Sequence, residues 1–285
     1  MFALRYLVGV ALTVPEQGRH PVHVADILAL WLLATTSIYL FNGVQDIACD
    51  RLNHSQRPLA CGLVSTGFAR WASLTGTAVA LLGTAKIDPP VVAPLTALLI
   101  LGYAYSTPPL KLARRTSGTL LTVVLACLLS VLAGHLSDTS SAAEALRFGP
   151  ALIVFALAST GWAALVGGLT KDLGDVPGDR AAGRQTLAVV CGPTTVRRIT
   201  SIVAPLVGVT FLWSSLAYAQ VLVPAAAATL IGAVVLALVN LAGDNGAERT
   251  RLRDSYRVFM LTQYTAHLLA LAAAFSGEAT PVVIP

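Results

Sequence analysis

Residues 222–242 read LVPAAAATLIGAVVLALVNLA, twenty-one positions without a charged side chain. A helix needs about 20 apolar residues to cross the hydrocarbon core of a bilayer, so this stretch is read as a membrane span. Similar apolar runs, separated by charged or Pro/Gly breaks, occupy roughly residues 26–44, 68–84, 91–105, 118–136, 148–169, 199–218 and 258–275. A shorter run over 2–14 is the ninth. Arg5 lies inside it and no small-residue cleavage site follows, so it does not read as a cleavable signal. Composition agrees: of 285 residues, 55% are hydrophobic and 12% charged, against roughly 25% charged in soluble domains. That excludes a soluble enzyme, a disordered chain and a nucleic-acid binder, despite a net charge of +5. The expected fold is all-α: one domain over 1–285, a multi-pass bundle of about nine transmembrane helices around a central cavity. Cys49, Cys61, Cys127 and Cys191 form no CxxC pair and suggest neither a zinc site nor a disulfide framework.

The basic residues test this count. With the N-terminus inside the cell, Arg5 and the turns after the second, fourth, sixth and eighth spans hold all the Lys and Arg except Arg19, Lys86 and Arg147. Cytoplasmic loops carry the Lys/Arg excess, and a miscounted helix would scramble that segregation. The chain is therefore expected in the cell membrane, with these turns cytoplasmic.

Two acidic groups lie on that same side. Asn42-Gly-Val-Gln-Asp46-Ile-Ala-Cys-Asp50 ends the second span, and its spacing of four sets Asn42, Asp46 and Asp50 along one helical face. Asp172-Leu-Gly-Asp175-Val-Pro-Gly-Asp179 ends the sixth, where Pro177 and Gly178 should stop the helix. Acids bordering membrane spans are costly and usually functional. Crowded carboxylates repel one another and take up protons unless a cation intervenes. Oxygen-only ligands point to Mg2+, which uses one or two carboxylates, waters and substrate phosphates. The plain alternative is a set of solvated loop acids balanced by Arg51, Arg57, Arg180 and Arg184. Asp50-Arg51 before Cys61-Gly62 is echoed by Asp179-Arg180 before Cys191-Gly192, which allows an internal repeat.

These residues resemble the UbiA superfamily of intramembrane prenyltransferases. The N-x-x-x-D-x-x-x-D motif of that family is matched by Asn42, Asp46 and Asp50, with Asn53, Arg57-Pro58-Leu59, Gly62 and Ser65 following. Tyr105-Ser-Thr-Pro-Pro-Leu-Lys111 is similar to its Y-x-x-P-P-L-K segment. Asp175 and Asp179 match its D-x-x-x-D, with Asp172 as an upstream acid and Gly178 to Leu187 as the continuation. The chlorophyll synthase and archaeal-lipid synthase branches carry the most similar motifs. Gly43 stands where many members have Asp, which removes one carboxylate that could face metal or acceptor.

The resemblance implies a prenyl diphosphate bound through Mg2+ on Asp46, Asp50, Asp172, Asp175 and Asp179. Asn42, Arg57, Lys111 and Lys171 would serve the diphosphate. Ionisation would leave an allyl cation inside the bundle, to be captured by a hydrophobic or aromatic acceptor. Tyr39, Tyr103, Tyr105 and Trp162 are candidates to line the cation pocket through their π-faces, though aromatics near helix ends also form interface belts. His54 lies in the first motif loop, where it could handle a proton. Two rivals stand beside prenyl transfer: a terpene cyclase with the same ionisation chemistry, and an ion-coupled transporter, whose site would lie nearer the membrane midplane.

Overall fold

A computed structural model describes residues 1–13, 21–53, 55–137, 139, 141–242 and 253–277, with the backbone alone for 21 and 22. Its helices are α1 (Phe2–Ala11), α2 (Pro21–Leu52), α3 (Thr66–Ile87), α4 (Pro89–Ser106), α5 (Thr116–Leu136) and α6 (Pro150–Thr170). Two short helices follow, α7 (Val176–Ala181) and α8 (Leu187–Cys191), then the long α9 (Pro193–Tyr218), α10 (Val223–Ala242) and α11 (Asp254–Gly277). Among the described residues there is no strand; one parallel bridge joins Arg115 to Gln185.

Local chemistry sets the helix ends. Prolines open α4, α6 and α9 in the first turn, where the missing N–H has no intrahelical partner to lose. Ser65 caps α3 and Thr186 caps α8 through side-chain oxygens. Pro108 drives Thr107 to extended backbone (φ −114, ψ 148), which stops α4 at Ser106.

Each of the nine apolar runs folds as a helix. Among the described residues, seven helices are long and apolar enough to span a membrane. α1 falls short because ten residues rise only about 15 Å, half the hydrocarbon core. α3 has the length, at 22 residues, but Arg70, Lys86 and its glycines and hydroxyls dilute its apolar character.

The long helices alternate in direction, and cross-links show which ends meet. Asn42 near the end of α2 donates to Ser106 Oγ at the end of α4, and the Leu187 amide donates to Thr116 Oγ1 at the start of α5. Ser255 at the start of α11 donates to Asn240 at the end of α10, and Asn240 donates to the Arg197 carbonyl of α9. The C-terminus of α2 and the segment after α6 thus share one end of the bundle, called here the acid end.

α1 occupies the other half. Tyr6 donates to the Val24 carbonyl at 3.1 Å, its hydroxyl lies 2.7 Å from Ser137 Oγ, and Thr13 meets His135. Its backbone touches that of α5: a Cβ on Gly9 would overlap Val131 main-chain atoms, and one on Gly134 those of Tyr6. Arg5, assigned above to the cytoplasmic turns, is instead buried in the bundle at 6% exposure. The reason is length, since so short a helix docked at the far end does not reach the acid end.

α6 is not a regular α-helix. Trp162–Gly167 forms a π-helical stretch within it, a feature common beside functional sites. There Gly167 packs so tightly on the Phe259 ring of α11 that no Cβ would fit.

Candidate active site

Five carboxylates gather at the acid end, and a basic side chain meets each. Arg184 spans the two motifs: its Nη2 donates to Asp46 Oδ1 at 2.6 Å and its Nη1 to Asp179 Oδ1 at 3.3 Å. Asp46 also accepts from Asn42 Nδ2 at 3.2 Å. Arg57 pairs with Asp50 at 3.1 Å, Lys171 with Asp172 at 2.6 Å, and Arg253 with Asp175 at 3.1 Å. A backbone contact locks the two segments together. Asn53 Oδ1 accepts from the Gly178 amide at 3.0 Å, and a Cβ on Gly178 would collide with that same amide group. Cys49 Sγ stands 3.9 Å from Asp179.

Asp179 is 1% exposed, and burial, reinforced by Asp172, pushes its carboxyl up to about 6 against the pull of Arg184 and Lys171. Burial alone would lower the Arg184 guanidinium, but Asp46 outweighs it and holds the group above its ordinary range. Lys171 is likewise raised: burial acts against its charge, and Tyr105 with Asp172 overcomes it. Both cations therefore stay charged at any physiological pH.

The donor set suits a hard divalent cation. It is all oxygen, and Asp179 Oδ2 is buried without a hydrogen-bond partner, a costly condition that a cation would relieve. As placed, no three Asp, Glu, His or Cys side chains among the described residues converge on one point, because each acid is turned toward a basic partner. Metal binding here requires Arg184 and Lys171 to exchange carboxylate for another anion, and a diphosphate is one.

The other expected residues divide. Tyr105 belongs to the site through Lys171. Tyr39 is 64% accessible, yet Arg5, Tyr105, Tyr256 and Arg57 lie within electrostatic reach of it from four different segments. Tyr103 instead bonds Thr77 Oγ1 at 2.9 Å and stacks edge-on with Phe41, so it fastens α2, α3 and α4 together. Trp162 is 3% exposed, stacks on Phe259 and lines a small internal cavity with Phe155 and His267. Lys111 takes a left-handed backbone, φ 36, and its ammonium makes no ion pair among the described residues. His54 lies outside the described residues. Sequence reasoning did not select Arg184, Arg253 or Arg5 as site residues. Only the first carried a signal, its place in the loop after Asp179.

The UbiA prenyltransferase family profile matches residues 3–263, and the chain belongs to that family. Among solved structures, a UbiA homolog from Archaeoglobus fulgidus bound to DMAPP and Mg2+ superposes with a TM-score of 0.71 at 20% identity, over 98% of this chain and 95% of that one. The same values hold for the A. fulgidus homolog bound to GPP and Mg2+. An apo UbiA homolog from Aeropyrum pernix K1 gives 0.69 at 18% identity, over 98% and 97%. At these identities the likeness is one of fold. No curated protein matches the chain in sequence.

Proposed function

We propose that the chain is a Mg2+-dependent prenyltransferase that ionises an allylic prenyl diphosphate at the acid end and passes the prenyl group to a hydrophobic or aromatic acceptor. The observation that carries this reading is Arg184, one guanidinium bonded to an acid from each motif. It brings residues 46–50 and 172–179 to one place, as a shared diphosphate site requires. The A. fulgidus homolog with bound DMAPP or GPP and Mg2+ supports the substrate class and the cofactor.

Asp46, Asp50, Asp175 and Asp179 would hold the metal, with Asp172 beside them and Asn42 orienting Asp46. When bound, Mg2+ supplies charge that stabilises the departing diphosphate. The chain supplies the rest. Arg184 and Lys171, both fixed as cations, turn from carboxylate to phosphate oxygen and stabilise the charge that develops there. Arg57 and Lys111 border the same end from loops. The C–O bond breaks with its electron pair leaving on the diphosphate, and the allyl cation remains among Tyr39, Tyr105 and their neighbours, where ring faces stabilise it. An acceptor nucleophile then closes the new bond and releases a proton. The basic turns support a cytoplasmic position for this end, from which the water-soluble leaving group would depart.

The test is incubation of membranes holding the full chain with geranyl or geranylgeranyl diphosphate and Mg2+, with and without candidate acceptors. Diphosphate release that depends on acceptor, and is lost in EDTA and in Asp46→Ala or Asp175→Ala, is expected. A cyclic terpene formed without acceptor would replace the reading with a cyclase. Ion flux without diphosphate release would replace it with a transporter.

A further inference from the structure

The start of α11 is pinned on two sides at the acid end. Arg253, just ahead of the helix, pairs with Asp175 at 3.1 Å, and its side chain lies where a Cβ on Gly174 would fall. Ser255 is buried and donates to Asn240 at the end of α10. Tyr256 follows about 100° further round the helix. Its half-buried ring packs against the buried cluster of Trp162, Val166 and Phe259. Tyr256 stacks on Phe259 with ring centroids 5.5 Å apart and planes 24° from parallel, and Phe259 stacks on Trp162 at 5.9 Å and 22°. Three nearly parallel rings thus run from the π-helical stretch of α6 to the first turn of α11, and they restrict how the Tyr256 ring can turn.

The phenol at the end of this stack faces the second motif. Lys171 and Asp172, just after α6, and Arg57, in the loop after α2, lie within electrostatic reach of it. Yet its hydroxyl makes no hydrogen bond among the described residues. A tyrosine that is partly buried normally finds a partner for its O–H. Here the charged neighbours leave the proton free. Lys171 and Arg57 carry donors only, and Asp172 accepts from Lys171 at 2.6 Å.

We infer that Tyr256, held by the Trp162–Phe259 stack, donates a hydrogen bond to an oxygen of the bound diphosphate between Lys171 and Arg57. A neutral donor suits the place, because it gives the anion a charge-assisted bond without adding a cation beside Arg184, Lys171 and Arg57. No proton is transferred. As the C–O bond breaks and its electron pair passes to the diphosphate, the bond from Tyr256 strengthens with the charge that develops. The inference rests on the diphosphate reading and adds α11 to the elements that build that site.

The test is calorimetric titration of the full chain in lipid nanodiscs with inorganic pyrophosphate in excess Mg2+, beside the ligand-free Tm of each protein. Tyr256→Phe keeps the ring and its stack and removes only the hydroxyl. It is expected to weaken pyrophosphate binding about tenfold or more. Its ligand-free Tm should match the wild type, since the hydroxyl has no partner to lose. Tyr103→Phe is the mirror control: its hydroxyl bonds Thr77, so its Tm should fall while its pyrophosphate affinity holds. Wild-type affinity in Tyr256→Phe would overturn the inference and leave the diphosphate reading standing. So would an equal loss of affinity in Tyr103→Phe, or a lowered ligand-free Tm in Tyr256→Phe, the signature of a hydroxyl that serves the fold. A wild type that binds no pyrophosphate with Mg2+ would sink the diphosphate reading and the inference with it.

Discussion

Asp179 shows how the site balances charge one residue at a time. Its carboxyl binds a proton more tightly folded than unfolded, with a value near 6 against 3.8. Its stabilising contribution is thus complete below 3.8 and fades as pH rises through about 6. Thermal unfolding in EDTA should therefore show Tm falling across that window. Excess Mg2+ should cancel the fall, and Asp179→Asn should flatten it. Arg184 works in the opposite sense. Removing it leaves two carboxylates of low exposure without a counter-charge, so Arg184→Gln should cost on the order of 3 kcal/mol in metal-free protein. Mg2+ should restore more stability to that variant than it adds to wild type, as read from Tm with and without the ion. Of these two residues only Asp179 was legible in the sequence as a candidate ligand. An acid repeated at helical spacing announces itself; an arginine five residues further on looks like any loop charge until the fold sets Asp46 opposite it.

At the scale of elements, the hydrophobic runs were almost fully legible, because membrane helices are apolar nearly all round and need no periodicity to be found. Depth was not legible. Phe2–Ala11 has the composition of a span but not the length, and its seat beside α5 depends on two glycines whose role shows only when the backbones meet. Gly134→Val should pry α1 from α5 and lower stability by about 1–3 kcal/mol, measured as a drop in Tm. The contact between α2 and the α7 segment is equally narrow. Gly178→Ala should displace Asn53 and reduce diphosphate release while the Asp residues stay intact, which a kinetic assay of the purified variant would show.

For the whole molecule, the alternating helices set the motif residues at one end, and the fold brings together motifs separated by more than a hundred residues. The aromatic assignments were the weak part of the sequence reading. Tyr103 and Trp162 face neighbouring helices, and no spacing rule separates a tyrosine that packs from one that faces a cavity. Sidedness is testable with the native thiols. Cys61 and Cys191 are exposed, and Cys49 and Cys127 buried. A membrane-impermeant maleimide should label Cys61 and Cys191 in inside-out vesicles and spare them in right-side-out ones. Labelling of either from the outside would reverse the orientation drawn from the basic turns.

The π-helical stretch in α6 has a consequence for everything downstream of it. Such a segment holds one residue more than the same length of α-helix, and one residue is about 100° of rotation. Trp162–Gly167 therefore sets the angular phase of Lys171, Asp172 and Asp175. Were the same six residues wound as regular α-helix, those three side chains would swing by about 100°, uncoupling the second motif from the first without altering a single one of its residues.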